Sequence, residues 1–303
     1  MSGCYASFHK QLGDLTLLEP ALSRLHAHHG GPVRLLTRSG HAPLVELMEG
    51  VKYVSGAAMA PASHLYCFDP LGKSAFRSTL TPVSNRLLVI PERRELRWFH
   101  PLLFPKIKTP ELGDEYIAEF FWKNTPVPTA NDFRPPRLQR PPESWAPAGV
   151  APRSYVLVNA TAGWRMKMWT ASGWAETLRA HESLGPFLLT NGGQMWQTTH
   201  CGEIVSKVSD IARTIETDLR AFLWLCANAR AVLTVDGSAS HLAGAFGVPS
   251  LTLFGPTNIH HWHREAPLQS ALRAPVDKDG KRRLRKLGAD PVIEAVARLT
   301  SQA

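Results

Sequence analysis

The sequence predicts an α/β protein made of two domains, each a parallel sheet with helices on both faces. Three observations carry that reading. Apolar runs of strand length alternate with helical periodicity along most of the 303 residues. A proline-rich stretch interrupts the alternation near the middle of the chain. The segment from Ala231 to Thr257 reads as a complete β-α-β unit with its polar residues gathered at one end.

Taken in order, the first strand is expected at Gly3–Phe8. Leu15, Leu18, Leu22 and Leu25 then recur at helical spacing, so a helix starts near Gly13-Asp14. Asp14 falls on a strand-to-helix turn at the sheet's carboxyl edge. It reads either as a carboxylate facing a ligand or as the helix N-cap, worth ~1 kcal/mol. Strands at Val33–Thr37, Leu65–Phe68 and Asn85–Ile90 complete a first domain over 1–124. Residues 125–153 hold eight of the 24 prolines, among them Pro135-Pro136 and Pro141-Pro142, and read as an extended linker. Over 154–303 the alternation resumes, with strands at Tyr155–Asn159, Phe187–Thr190, Ala231–Val235 and Ser250–Phe254. Helical patterns cover Trp174–His181, Leu219–Ala229 and His241–Phe246.

Two segments of this second half carry candidate chemistry. After Val235 comes Asp236-Gly237-Ser238, then His241 opening a helix. Backbone N–H groups are free at a helix start, so the turn suits an anion such as a nucleotide diphosphate. The bland alternative is that Asp236 and Ser238 cap the helix and His241 is a satisfied, half-buried histidine. After Asn159 a basic loop offers the Thr161 hydroxyl, Ala162, Arg165 and Lys167, followed by a helix capped near Thr170 or Ser172. Donors and cations held close together are what a pyrophosphate needs, although a solvated loop shows the same composition.

Composition narrows the partners. Net charge is +9, which favours nucleic acid, an anionic membrane surface or a phosphorylated substrate. The basic run Lys278–Lys286 has no interleaved aromatics and belongs to no nucleic-acid module, so nucleic acid is not expected. A lipid-linked, phosphate-bearing acceptor at the inner face of a membrane accounts for the charge as well. Apolar stretches stay short of the ~20 residues a bilayer span needs, and the first residues carry no export pattern. The four cysteines, Cys4, Cys67, Cys201 and Cys226, are scattered, as expected of reduced thiols in a cytoplasmic protein. His260-His261-Trp262-His263 is the densest histidine cluster, but no acidic or cysteine partner stands at ligand spacing, so no metal site is expected.

Three blocks together resemble the heptosyltransferase family of glycosyltransferases (family 9, ADP-heptose:LPS heptosyltransferase-like). These are Gly13-Asp14 with Pro20-Ala21-Leu22; Lys167-Met168-Trp169; and Asp236, His241-Leu242-Ala243, Gly247-Val248-Pro249 and Phe254-Gly255-Pro256-Thr257. The likeness runs on to a final helix at Asp290-Pro291. It implies the GT-B architecture, two Rossmann-like domains with parallel sheets facing a central cleft, the donor on the second domain and the acceptor on the first. The chain departs from the family pattern in two places. Gly237-Ser238 stands where Thr-Gly or Ser-Gly is usual. Asn191-Gly-Gly-Gln194 is the nearest match to an acidic residue that can bind the ribose.

The implied reaction is inverting transfer of a sugar, heptose by family default, from a nucleotide diphosphate sugar to a glycan or glycolipid such as lipopolysaccharide core. Asp14 is then the general base and Lys167 stabilises the leaving diphosphate. Thr161, Ala162, Lys167, Asp236, Gly237, Ser238 and His241 form the donor site. No cofactor or metal is implied, the ADP-sugar being a substrate. The partners are the donor and an anionic acceptor, with peripheral contact at the inner membrane surface. The alternative is a catalytically degenerate GT-B protein that binds sugars or a partner.

Overall fold

The computed structural model describes residues 4–55, 62–69, 83–90, 97–128 and 132–301. The chain divides into two compact units, Met1–Gln139 and Arg140–Ala303.

The first unit runs β1 (Cys4–Ser7), α1 (Leu12–His29), β2 (Val33–Leu36), α2 (Ala42–Glu46), β3 (Val51–Val54), β4 (Ala62–Cys67), β5 (Val83–Val89), α3 (His100–Leu103), β6 (Lys106–Lys108) and α4 (Ile117–Asn124). Its sheet is six-stranded in the order β3-β2-β1-β4-β5-β6, and every pairing is parallel. The expected strand Gly3–Phe8 begins one residue outside the described residues, at Gly3. Leu15, Leu18, Leu22 and Leu25 are fully buried, as their spacing requires. Phe121 of α4 meets Phe8 and Phe68 edge-on, at 6.2 and 5.7 Å between ring centroids.

The second unit runs β7 (Val156–Asn159), α5 (Ala171–Ala180), β8 (Phe187–Leu189), α6 (Met195–Val205), β9 (Ala212–Thr214), α7 (Leu219–Asn228), β10 (Ala231–Val235), α8 (Ser238–Phe246), β11 (Ser250–Phe254), α9 (Ile259–Trp262), β12 (Gln269–Arg273) and α10 (Ala289–Ser301). Its sheet is again parallel, in the order β12-β11-β10-β7-β8-β9. Val156, Val158, Leu233, Leu251 and Leu253 share a core with Trp169, Trp174 and the buried face of α10. The predicted cap of α5 is Thr170, whose hydroxyl accepts from the Gly173 N–H at 3.1 Å. Gly247 ends α8 in the left-handed region, φ 68°, where an L side chain is strained.

The proline-rich stretch is fastened at several points. Glu19, 2% exposed, accepts two guanidinium bonds from Arg134 at 2.8 and 2.9 Å and one from the Arg137 N–H. The Gln139 N–H donates to the Leu47 carbonyl, whereas Arg140 donates to the carbonyl of Ala227. These anchors fit the prolines: residues without an N–H gain nothing from a sheet and are held by their neighbours' side chains.

All four cysteines are buried free thiols. Among the described residues no helix is long and apolar enough to cross a membrane.

Candidate functional site

In a parallel sheet every strand leaves by the same edge, so the loops after neighbouring strands meet. In the second unit β11, β10 and β7 are consecutive neighbours. Their carboxyl ends deliver Thr257, Asp236 and the segment Thr161–Lys167 to one place.

Asp236 is at the centre, with its side chain 3% exposed. Its Oδ2 accepts from the Lys167 ammonium at 2.6 Å and from the Thr257 hydroxyl at 2.6 Å. A carboxylate buried this deeply requires partners, because an unpaired charge there costs several kcal/mol. An ammonium carries three donors and Asp236 takes one. The Lys167 side chain keeps 18% exposure and lies 5.4 Å from the Trp164 ring centroid. Asp236 therefore aims the cation without using up its donors.

Gly237 is the N-cap of α8, and no side chain caps this helix. The expectation that Asp236 or Ser238 caps it is corrected: Asp236 is committed to Lys167 and Thr257, and Ser238 is the first helical residue. The Ser240 hydroxyl bonds the Gly237 carbonyl at 2.7 Å. The N–H groups of this start are thus left to something other than a side-chain cap, at the positive end of the helix dipole. Gly237 itself is extended, and a Cβ there would meet Val235 O at 3.7 Å and Ala162 Cβ at 3.8 Å, ordinary contacts. The fold does not need glycine at 237.

Thr161 is 3% exposed, and its Oγ1 has no hydrogen-bond partner among the described residues. A buried hydroxyl left unpaired costs about 1–3 kcal/mol, so it marks a place where a ligand oxygen can complete the bonding. The carbonyl of Ala162 accepts from Gln197 Nε2 at 2.9 Å, which fixes this loop to α6. Gly255 fits because the backbone is close-packed there: a Cβ would stand 3.2 Å from Leu284 Cβ and 3.6 Å from Met166 O.

His241 is 9% exposed, on α8. Burial pushes its imidazole down to about 4; Asp236 opposes that shift, while Lys167 and His263 add to it. It is neutral at pH 7, and its ring lies 6.2 Å from that of Trp262 between centroids.

The structure thus brings Thr161, Ala162, Lys167, Asp236, Gly237, Ser238 and His241 to one sheet edge. Asp14 lies in the first unit, as the third residue of a capping box whose N-cap is Gln11. Its Oδ2 accepts from the Gln11 N–H at 3.2 Å. The expectation that Asp14 would itself be the N-cap is corrected by three positions.

Sequence reasoning missed several contributors. Thr257 ends the Phe254-Gly255-Pro256-Thr257 block, and nothing in the sequence points to its bond with Asp236. Gln197 had no signal except its place three residues after Gln194. Gln194 caps α6 with its side chain, and its Oε1 also accepts from the Trp196 indole N–H at 2.5 Å. In the first unit, Asp69, 2% exposed, accepts from the His9 N–H at 3.1 Å. Asp277-Lys278-Asp279, an Asp-x-Asp spacing of the kind that can ligate a metal, has both carboxylates paired with Arg283. Among the described residues no three His, Cys, Asp or Glu side chains converge as metal ligands, those of the His260–His263 cluster included. Within the basic run Leu284 is buried.

A family model for glycosyltransferase family 9 (heptosyltransferase) matches residues 127–286. Lipopolysaccharide heptosyltransferase 1 of Pseudomonas aeruginosa is 30% identical over 95 residues, 31% of this chain and 27% of that relative. Among solved structures, ADP-heptose LPS heptosyltransferase II of E. coli superposes with a TM-score of 0.80 at 17% identity, covering 100% of this chain and 99% of that one. E. coli heptosyltransferase WaaC, solved with ADP-2-deoxy-2-fluoro heptose, gives 0.74 at 16% identity, over 97% and 99%. At such identities the likeness is one of fold.

Proposed function

The chain belongs to glycosyltransferase family 9, the heptosyltransferases, and from that premise we propose that it is an inverting, metal-independent glycosyltransferase using an ADP-sugar donor. The sugar is heptose by family default. The acceptor is an anionic glycan or glycolipid of the lipopolysaccharide-core kind, in keeping with the net charge of +9. The reading rests chiefly on the Lys167 ammonium held at 2.6 Å by buried Asp236 beside an N-terminus that no side chain caps.

In the reaction the acceptor hydroxyl oxygen forms a bond to the anomeric carbon from the face opposite the leaving group. The bond from that carbon to the diphosphate oxygen breaks, and its electron pair leaves with the nucleoside diphosphate. Lys167 and the first N–H groups of α8 take up the negative charge that develops there. The Thr161 hydroxyl donates to a phosphate oxygen, which completes its bonding. The acceptor proton passes to a carboxylate, assigned to Asp14. Protein cations and dipoles supply the leaving-group stabilisation that a divalent metal supplies elsewhere.

The test is a product assay of purified protein with a panel of nucleotide sugars and a lipopolysaccharide-core acceptor, in EDTA and in magnesium. The expected result is ADP release matched by an inverted glycoside at equal rates in both buffers. ADP binding without transfer from any donor would favour the degenerate binding module instead.

A further inference from the structure

The diphosphate half of the site leaves unanswered what receives the flat half of the donor. The sheet order gives the direction. The loop after β8 lies two strands from β10, about 9.5 Å away, which is comparable to the reach of a nucleoside from its diphosphate. That loop opens α6 with Met195 and Trp196. Their setting is built rather than loose: Gln194 accepts the indole N–H, Gln197 ties α6 to the Ala162 carbonyl at 2.9 Å, and the Arg165 guanidinium stands 5.5 Å from the Trp196 ring centroid. Trp196 is half-buried; Met195, its neighbour on α6, is 85% exposed, and Trp164 and Met166, on either side of Arg165 in the chain, are 61% and 69% exposed. An aromatic ring with an exposed apolar neighbour and a cation beside it is suited to bind a ligand's flat face.

We infer that Trp196, held in place by Gln194 and flanked by Arg165 and Met195, is the platform on which the donor's nucleobase stacks. This inference rests on the donor-site reading above. A ring platform rewards the area of a base's face and not its hydrogen-bonding edge. The site should therefore prefer purine over pyrimidine diphosphates and distinguish ADP from GDP only weakly. Gln194 acts on the donor through the indole it orients: its side-chain oxygen is engaged by the Trp196 N–H and by the cap of α6.

The experiment is calorimetric titration of the full chain with ADP, GDP, UDP and inorganic pyrophosphate, with thermal melts beside it. In the wild type, ADP and GDP should bind more tightly than UDP, and UDP more tightly than pyrophosphate. Trp196→Ala should weaken ADP roughly 5- to 150-fold, leave pyrophosphate unchanged and erase the purine preference. Trp196→Phe should keep most of the affinity. Lys167→Ala should weaken ADP and pyrophosphate alike.

ADP binding no tighter than pyrophosphate in the wild type would overturn the platform without recourse to any variant. So would unchanged ADP affinity in Trp196→Ala, or equal losses for ADP and pyrophosphate. If Trp196→Ala behaves like wild type while Lys167→Ala weakens both ligands, the platform alone fails. If Lys167→Ala binds both normally, the donor site fails with it.

Discussion

In the first unit the strand order β3-β2-β1-β4-β5-β6 sets β1 beside β4, and in the second β12-β11-β10-β7-β8-β9 sets β7 beside β10 in the same roles. At each junction a buried aspartate follows the fourth strand and receives a donor from the loop after the first. In the first unit Asp69 receives a backbone N–H, that of His9, at 3.1 Å. In the second Asp236 receives the Lys167 ammonium at 2.6 Å. One topology therefore serves two purposes: in the first unit the aspartate pins a loop that leads to Asp14, and in the second it aims a cation. The fold supplies the place and the loop residues supply the chemistry.

The largest expected effect separates the two units. Asp14→Asn keeps the shape and the oxygen that accepts from the Gln11 N–H, but removes the proton acceptor. Turnover should fall by roughly 10²–10⁴ at saturating donor, measured as single-turnover rates. A near-normal rate in a folded variant would leave Asp14 as a capping-box residue only.

The next effect is shared by both units. His41 in the first and His241 in the second are each pushed down to about 4 by burial. Between pH 6.5 and 4 the unfolded chain takes up these protons and the folded chain does not. The stability is thus fully present above pH 6.5 and lost as pH falls, by up to roughly 3 kcal/mol for each residue. His41→Gln and His241→Gln should each flatten the fall of Tm with acid. A variant as acid-sensitive as wild type would remove its histidine from that role.

The two halves differ in how much of their structure is legible in the sequence. The β10-α8-β11 unit is legible because its strands are mostly apolar and buried throughout, and its turns carry Gly and Pro. Strands β6 (Lys106–Lys108) and β9 (Ala212–Thr214) are not, since each is three residues long with charged or exposed positions, as edge strands often are. At the site, residue types pointed to Lys167 and Asp236, but a bond across 69 positions has no sequence signal. Gln11 and Gln194 escaped notice as caps because the pattern favours Ser, Thr, Asp and Asn there.

Smaller effects sharpen the picture of the second unit. The fold has room for a Cβ at 237, so Gly237→Ala should melt normally. Gly237→Val should weaken ADP by crowding the phosphate, and Ser238→Ala should cost little. Equal tolerance of Val and Ala in ADP titrations would take the diphosphate away from this helix start. Thr257→Val should lower stability by about 1.5–3 kcal/mol through one lost bond to a carboxylate, read in denaturant melts, while Thr257→Ser should restore it.

The division of labour between the units is tested most directly by titrating ADP into Lys167→Ala and Asp14→Asn side by side. A charge-assisted contact to phosphate is worth about 1.5–3 kcal/mol, so Lys167→Ala should bind ADP roughly 10- to 150-fold more weakly. Asp14→Asn should bind it as the wild type does. Wild-type ADP affinity in Lys167→Ala, or an equal loss in Asp14→Asn, would contradict the account.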